Sequence, residues 1–345
     1  MNSYERVHAV FENRTPDRVP VAEMFIDPAV IESICPGMSG EDFVEYADLD
    51  IVTCLTMIAD PETTEWVDEE KQIWRDKWGA LQELEGNVIP VCLPPARIET
   101  EEDLDAYTPP DPLAAPVIRQ ARKLVDRFKG RKAIAVVGES AFAPSQYLRA
   151  GLANLMMDYA LRPEFVKKLA RIGTEYHVEL FRKLIAEGVE IIFLGDDFAG
   201  KSGTMMSPAH FEQYILPAEK TVIAAIHEAG GYAVQHTDGN ILGILDLLLE
   251  SGTDAFGPIE HHYMDMREVR RRSNGRAVVM GSLPIDLLSR GTVDEVKAET
   301  RRQLEQMAPH GGHIISSANT IPTSVRGENF LAMIETATSF RIGAA

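Results

Sequence analysis

From residue 132 onward, nearly all-apolar runs alternate with helix-length amphipathic stretches. The runs are Ala133-Ile-Ala-Val-Val-Gly-Glu139, Glu190-Ile-Ile-Phe-Leu-Gly-Asp-Asp197, Gly231-Tyr-Ala-Val-Gln-His236, Asp254-Ala-Phe-Gly-Pro-Ile-Glu260, Ala277-Val-Val-Met-Gly-Ser282 and His313-Ile-Ile-Ser-Ser-Ala318. Apolar on both sides, they read as strands buried on both faces, as in a parallel sheet. Helical patterns separate them: segments through Leu184, then Ala209–Ala229, Ile241–Glu250 with Asn240 as its N-cap, Met266–Arg272, Thr292–Met307 and about Glu328–Phe340.

Upstream, Tyr4–Asn13 has the spacing of a short amphipathic helix, broken by Thr15-Pro-Asp-Arg18. Val19–Phe25 reads as a first strand and the β-branched Ile51–Thr56 as a second. Between roughly Glu62 and Leu93 the rhythm changes to hairpin material, an insertion after the second strand. Eight strands, most followed by a helix, predict an α/β protein: a single (β/α)8 TIM barrel, one domain over 1–345, with an N-terminal helical extension and a β-hairpin insertion. An open doubly wound sheet is the alternative. Against it, no GxGxxG follows the first strand and no phosphate loop is present.

Composition narrows the partners. The 34 Lys+Arg against 53 Asp+Glu give a net charge of −19. That balance argues against nucleic acid or an anionic membrane surface. Cys35, Cys54 and Cys92 form no CxxC pair, so a reducing, cytoplasmic setting is expected. The start lacks a signal-peptide layout, and no apolar run approaches membrane-spanning length.

A barrel opens all its strand C-termini on one face, where chemistry is placed. Here those ends carry Met24 and Phe25, Thr56, Glu139 and Ser140, Asp196 and Asp197, His236 and Asp238, Glu260 with His261 and His262, Ser282, and Ser316, Ser317 and Asn319. Four successive strands end in acids or imidazoles. His236 and Asp238, two apart on one strand, point the same way. Asp196 and Asp197 point oppositely, so one faces the pocket while the other caps or pairs. The alternative for each is a loop carboxylate bonded to backbone amides.

These residues resemble the uroporphyrinogen decarboxylase-like superfamily, which includes corrinoid-linked methyltransferases. The resemblance spans almost the whole chain. It is carried by Glu5-Arg-Val and Thr15-Pro-Asp-Arg-Val-Pro-Val21, Trp74-Arg-Asp-Lys-Trp-Gly79, Gly195-Asp-Asp197, and Ser207-Pro-Ala-His-Phe211 with Pro217. His236-Thr-Asp-Gly-Asn240, Gly257-Pro-Ile-Glu260, Asn319-Thr-Ile-Pro322 and Glu328-Asn329 complete it. It implies the same barrel.

Departures from the pattern sort the branches. Decarboxylases of the family carry an arginine-rich segment after the first strand, where this chain has Ala22-Glu-Met-Phe-Ile-Asp-Pro28. Thiol-methylating relatives hold zinc through His-x-Cys and a later Cys, where this chain has His236-x-Asp238 and Asn319. The resemblance therefore implies the methyltransferase component of an O-demethylase system. It would move a methyl group from a small methoxylated substrate, aromatic for preference, to the cobalt of a cobalamin carried by a corrinoid-binding partner protein.

On that reading His236, Asp238, Asp197, Asp196 and Glu260 are the catalytic candidates. Met24, Phe25, Glu139, Tyr147, Ser282 and Asn319 are the substrate-binding ones, and His236 and Asp238 the ligands of an optional zinc ion. Self-association into a homo-oligomer is a further expectation. A methylcobalamin-to-acceptor methyltransferase, a carboxy-lyase of the uroporphyrinogen decarboxylase type, and a non-catalytic binding protein stay open.

Overall fold

Period-two packing of the apolar runs builds the barrel. A computed structural model of the chain describes residues 1–56, 65–85 and 89–342. In chain order the strands are β1 Ile51–Leu55, β2 Glu65–Asp68, β3 Ile73–Arg75, β4 Leu81–Glu85, β5 Ile89–Leu93, β6 Ala133–Gly138, β7 Ile191–Leu194, β8 Ala199–Gly200, β9 Gly203–Thr204, β10 Tyr232–Gln235, β11 Ala255–Ile259, β12 Val278–Gly281 and β13 His313–Ile314. Seven of them, in the order β1-β6-β7-β10-β11-β12-β13, form one parallel sheet.

The expected first strand closes the curl in reduced form, as a parallel bridge from Val21 to Ile315. Ala22 N–H donates to the Ile315 carbonyl at 3.1 Å and Ile315 N–H to that of Pro20 at 2.9 Å. On its other side Asp50 N–H donates to the Val21 carbonyl at 2.7 Å. Val21 N–H answers with a 2.7 Å bond to the Asp50 carboxylate. A side chain thus completes the ladder at this seam.

Alternation assigns each strand residue to one of two cores. Ala133, Ala135, Val137, Ile191, Phe193, Val234, Val278 and Met280 pack together in the barrel interior. Ile134, Val136, Ile192, Leu194, Ala233 and Val279 face outward, against the helices. Helix Ser3–Phe11 closes the end of the barrel remote from the strand C-termini by adding Val7, Val10 and Phe11 to the inner cluster. Phe11 stacks on Tyr232 with ring centroids 4.5 Å apart.

The helices follow their capping signals. Thr292 and Glu295 form a capping box at the start of Val293–Met307. Gly188 at φ 114° ends the 25-residue helix Pro163–Glu187. The expected helix over Ala209–Ala229 is Pro208–His210, a π-helical turn Phe211–Ile215 and Leu216–Glu228; Pro217, with no N–H to give, sits where the turn tightens again.

Two expectations are corrected. Helix Leu245–Glu250 begins later than Ile241; the Asn240 side chain instead accepts from Leu242 N–H, closing a local turn ahead of the helix. The inserted segment is larger than a hairpin. It is a four-stranded antiparallel sheet, β2-β3-β4-β5, whose expected start near Glu62 lies outside the described residues. Among the described residues no helix is long and apolar enough to cross a membrane.

Candidate active site

The same alternation carries past the ends of the strands and decides which polar residues reach the mouth. Continuing the inward series 133, 135, 137 gives Glu139; 191 and 193 give Asp197; 232 and 234 give His236 and Asp238; 278 and 280 give Ser282. Continuing the outward series gives Ser140, Asp196, Glu23 and Ser317, which turn toward the helices.

Asp197, His236 and Asp238 converge, each offering a ligand atom within 4.8 Å of the others. His236 Nε2 lies 3.6 Å from Asp238 Oδ1. Asp238 N–H donates to Asp197 Oδ1 at 2.9 Å, and Asn319 Nδ2 donates to Asp238 Oδ1 at 2.7 Å. Burial raises the Asp238 carboxyl above its ordinary range; Asp197 adds to the rise, while His236 and Asn319 pull it back. His236 Nδ1 is buried and has no hydrogen-bond partner among the described residues. One imidazole and two carboxylates, of which Asp197 borders the neighbouring cavity, suit a divalent cation with free coordination positions.

Gly239 makes this geometry attainable. It sits at φ +77°, and a Cβ there would lie 2.3 Å from the Gly200 carbonyl oxygen. Its N–H donates to Glu260 Oε2 at 2.8 Å. Gly239→Ala is therefore expected to cost about 1–3 kcal/mol from the left-handed backbone alone, with the carbonyl contact adding to it. Chemical denaturation would show a lowered midpoint; an unchanged one would mean that the turn relaxes freely.

Beside the cluster lies a cavity of about 710 Å³ between the barrel mouth and the inserted sheet. Trp74, Trp78, Tyr147 and Tyr176 supply its aromatic wall, and Asp197 and Glu139 its barrel side. Tyr147 donates its hydroxyl to Glu139 Oε1. Lys77, from the insertion, brings its ammonium to 3.9 Å from Glu139 Oε2 and within 5.5 Å of the centre of the Tyr176 ring. Burial pushes the Glu139 carboxyl up against the opposing pull of Lys77 and Tyr147.

The other expected site residues are dispersed. Asp196 is fully buried and faces away from the mouth. It accepts from the amides of Ser140, Phe142 and Ala143 at the start of helix Phe142–Leu148 and from the Ser140 hydroxyl. The same hydroxyl touches Glu219. One hydroxyl proton cannot serve two carboxylates, so one acid of the pair is protonated, as burial of both dictates. Asp196 is thus the capping member of the Asp196-Asp197 pair.

Glu260 holds Gly239 in place from a half-buried position. Met24 belongs to the inner apolar core, Phe25 is half-buried, and neither borders this cavity. Ser282, although on the inward series, is fully buried and does not border this cavity; its backbone is bonded on both sides to the Gln303 side chain. Two residues escaped sequence reasoning, one buried behind the mouth and one facing it from the insertion. Glu23 had a signal, as a lone acid in an apolar strand. Lys77 had another, as a cation between two tryptophans.

Comparison with known proteins finds relatives of the chain. The uroporphyrinogen decarboxylase (URO-D) family model matches residues 78–340. The chain is 24% identical over 257 residues to a uroporphyrinogen decarboxylase of Syntrophotalea carbinolica, covering 71% of each chain. It is 22% identical over 233 residues to the methylcobamide:CoM methyltransferase MtbA of Methanosarcina acetivorans, covering 65% of this chain and 64% of that one. Among solved structures, a methyltransferase from Methanosarcina mazei superposes with a TM-score of 0.75 at 16% identity over 99% of both chains, sharing the fold.

Proposed function

Since the chain belongs to the uroporphyrinogen decarboxylase family, we propose that it is a methyltransferase of that family's corrinoid-linked branch. It would move methyl from a small methoxylated aromatic compound to a cobamide carried by a separate corrinoid-binding protein. The observation that carries this reading is the cluster of Asp197, His236 and Asp238 opening beside an aromatic-walled cavity. A methyl ether needs an apolar wall for its ring and an acid or Lewis acid at its leaving oxygen, and that pairing is present.

The cobamide, when bound, supplies the cobalt that takes the methyl group. A divalent cation held by Asp197, His236 and Asp238 would supply Lewis acidity toward the leaving oxygen. The orphaned His236 Nδ1 and the mixed nitrogen–oxygen donor set fit such an ion.

This chain's own groups do the rest. Trp74, Trp78, Tyr147 and Tyr176 orient the ring and exclude water. Asn319 fixes Asp238, and Asp238 orients His236, which in its protonated form can deliver a proton to the departing oxygen. The barrel, read as one domain, stays open at its mouth for the corrinoid partner. A cytoplasmic location and self-association remain part of this proposal.

Two features separate it from the alternative activities of relatives. Five carboxyls border the cavity, from Glu65, Asp76, Asp111, Glu139 and Asp197, against Arg75 and Lys77. A porphyrinogen bearing many carboxylates would be repelled. Asn319 and Asp238 bond to each other and offer no sulfur to zinc, which counts against thiolate activation. The test is methyl transfer to cob(I)alamin from a panel of aryl methyl ethers. Transfer from at least one donor is expected; carbon dioxide release from a porphyrinogen instead, with no transfer from any donor, would replace this reading.

A further inference from the structure

Glu23 is buried, 3% exposed, in the layer between the barrel and its helices. Its two oxygens meet one residue. Ser317 N–H donates to Oε1 at 2.9 Å, and Ser317 Oγ lies 2.6 Å from Oε2. The same Oγ lies 2.7 Å from the backbone carbonyl of Asn319. A carbonyl only accepts, and a serine hydroxyl has a single proton. If that proton goes to Asn319, the short contact to Glu23 is a hydrogen bond only when the carboxyl itself donates. If Glu23 is ionised, it takes the serine proton and the Asn319 carbonyl is left without it.

The surroundings favour the first arrangement. On the adjoining strand β1, Thr53 is committed to the Met24 carbonyl. On the other side stand Ser316 and Ser317, with the Ser316 hydroxyl bonded to the Ser317 carbonyl. The Asp50 carboxylate on the seam is tied to Arg6 and Arg18. Burial pushes the Glu23 carboxyl up to about 8, offset among the described residues by the hydrogen bonds of Ser317.

We propose that Glu23 is a positioning residue of the mouth: a neutral carboxylic acid that donates to Ser317, leaving the serine hydroxyl to hold the Asn319 carbonyl and so fix the loop whose side chain grips Asp238. The inference rests on the reading of Asp238 and His236 as the reacting centre. Deprotonation reverses the Ser317 hydroxyl, releases the Asn319 carbonyl and loosens the Asn319–Asp238 bond. No bond beyond these hydrogen bonds is made or broken; the proton leaves to solvent.

The isosteric amide separates this from a packing role, because Glu23→Gln donates to Ser317 Oγ and accepts from Ser317 N–H as the neutral acid does. Three readouts apply to wild type, E23Q and Glu23→Ala. The infrared difference between wild type and E23Q at neutral pH is expected to contain the carbonyl stretch of a protonated carboxyl, lost on alkaline titration. The Asn319 side-chain amide signals in NMR, assigned by their absence in Asn319→Asp, are expected to shift as pH rises through about 8 in wild type and to stay put in E23Q. Methyl transfer in wild type is expected to fall by up to roughly tenfold per pH unit above that range, with no such limb in E23Q and a low rate in E23A at every pH.

Carboxylate bands at neutral pH would overturn the neutral acid. A protonated carboxyl with Asn319 signals and alkaline limbs identical in wild type and E23Q would overturn the positioning role. If no donor supports methyl transfer, the functional reading fails, and the infrared and Asn319 arms still decide the role of Glu23.

Discussion

A methyl-transfer rate roughly 10²–10⁴-fold below wild type is expected for His236→Ala, the span that a positioned acid–base group contributes. The imidazole stands on the inward face at the end of β10, 7% exposed, with Nε2 toward Asp238 and Nδ1 unpartnered. Whether it donates a proton or holds a cation, its removal takes away the one nitrogen donor of the cluster. The two roles part in a second measurement. Loss of a stoichiometric metal on His236→Ala assigns the ligand role, whereas an unchanged, metal-free preparation assigns the acid role. Because the residue lies at the mouth rather than in the inner core, the thermal midpoint is expected to move little. Full retention of methyl transfer by a folded His236→Ala protein would remove His236 from the chemistry.

The largest effect on stability is expected at the barrel seam, far from the chemistry. Asp50 has no exposed surface, and its carboxylate takes Arg6 at 2.5 Å, Arg18 at 2.7 Å and the Val21 amide at 2.7 Å. Arg6 and Arg18 are themselves 6% and 4% exposed. Asp50→Ala removes the buried carboxylate shared by two buried guanidinium groups, leaving Arg6 to the exposed Asp17 and Arg18 to the exposed Asp48, and deprives the Val21 amide on the closing strand of its acceptor. Breaking a buried pair from one side typically costs about 3–5 kcal/mol. Urea denaturation would show the midpoint falling by that amount of stability, and a loss below about 1 kcal/mol would mean that water reaches the seam. Asp50→Asn, which can still accept from Val21, is expected to fall between the two.

The motif Thr15-Pro-Asp-Arg-Val-Pro-Val21 thereby acquires a physical role. Arg18 serves Asp50 and Asp48, and Asp17 anchors Arg6 at 2.8 Å. Hydrogen bonds from the Arg6 guanidinium, and then from the N-terminal ammonium, hold the Asp17 carboxyl well below the usual carboxylate range, against the opposing effect of partial burial. From sequence the motif marked kinship; in the fold it is a clamp on the first strand. Nothing in the local pattern shows that Asp50, three residues before Thr53, is its target, because the partners are 44 and 32 residues away in the chain.

How legible each element was follows from how local its cause is. The strands around β6, β7, β10, β11, β12 and β13 were readable because burial on both faces writes a continuous apolar run. The first strand was readable too, but its reduction to a bridge at Val21 was not, since a carboxylate from Asp50 substitutes for part of a ladder. The inserted sheet was underestimated because edge strands exposed to water carry only a weak alternation, as β2 shows.

The opening of the barrel mouth divides the same way. By itself the sequence determined the rhythm of strands and helices and the face on which His236 and Asp238 share one direction, because a strand's side chains alternate with period two. It also left open which of Asp196 and Asp197 faces the cavity, since two adjacent carboxylates look alike until the inward series is anchored by Ile191 and Phe193. The tertiary structure alone decided that Asn319 reaches Asp238 across 81 residues of chain. It alone set Lys77 of the insertion over Glu139 and gave Ser317 both Glu23 and Asn319 to serve. The reason is physical. Alternation is fixed by bonded geometry within a strand, whereas hydrogen bonds between distant segments depend on how the curled sheet brings its first and last strands together.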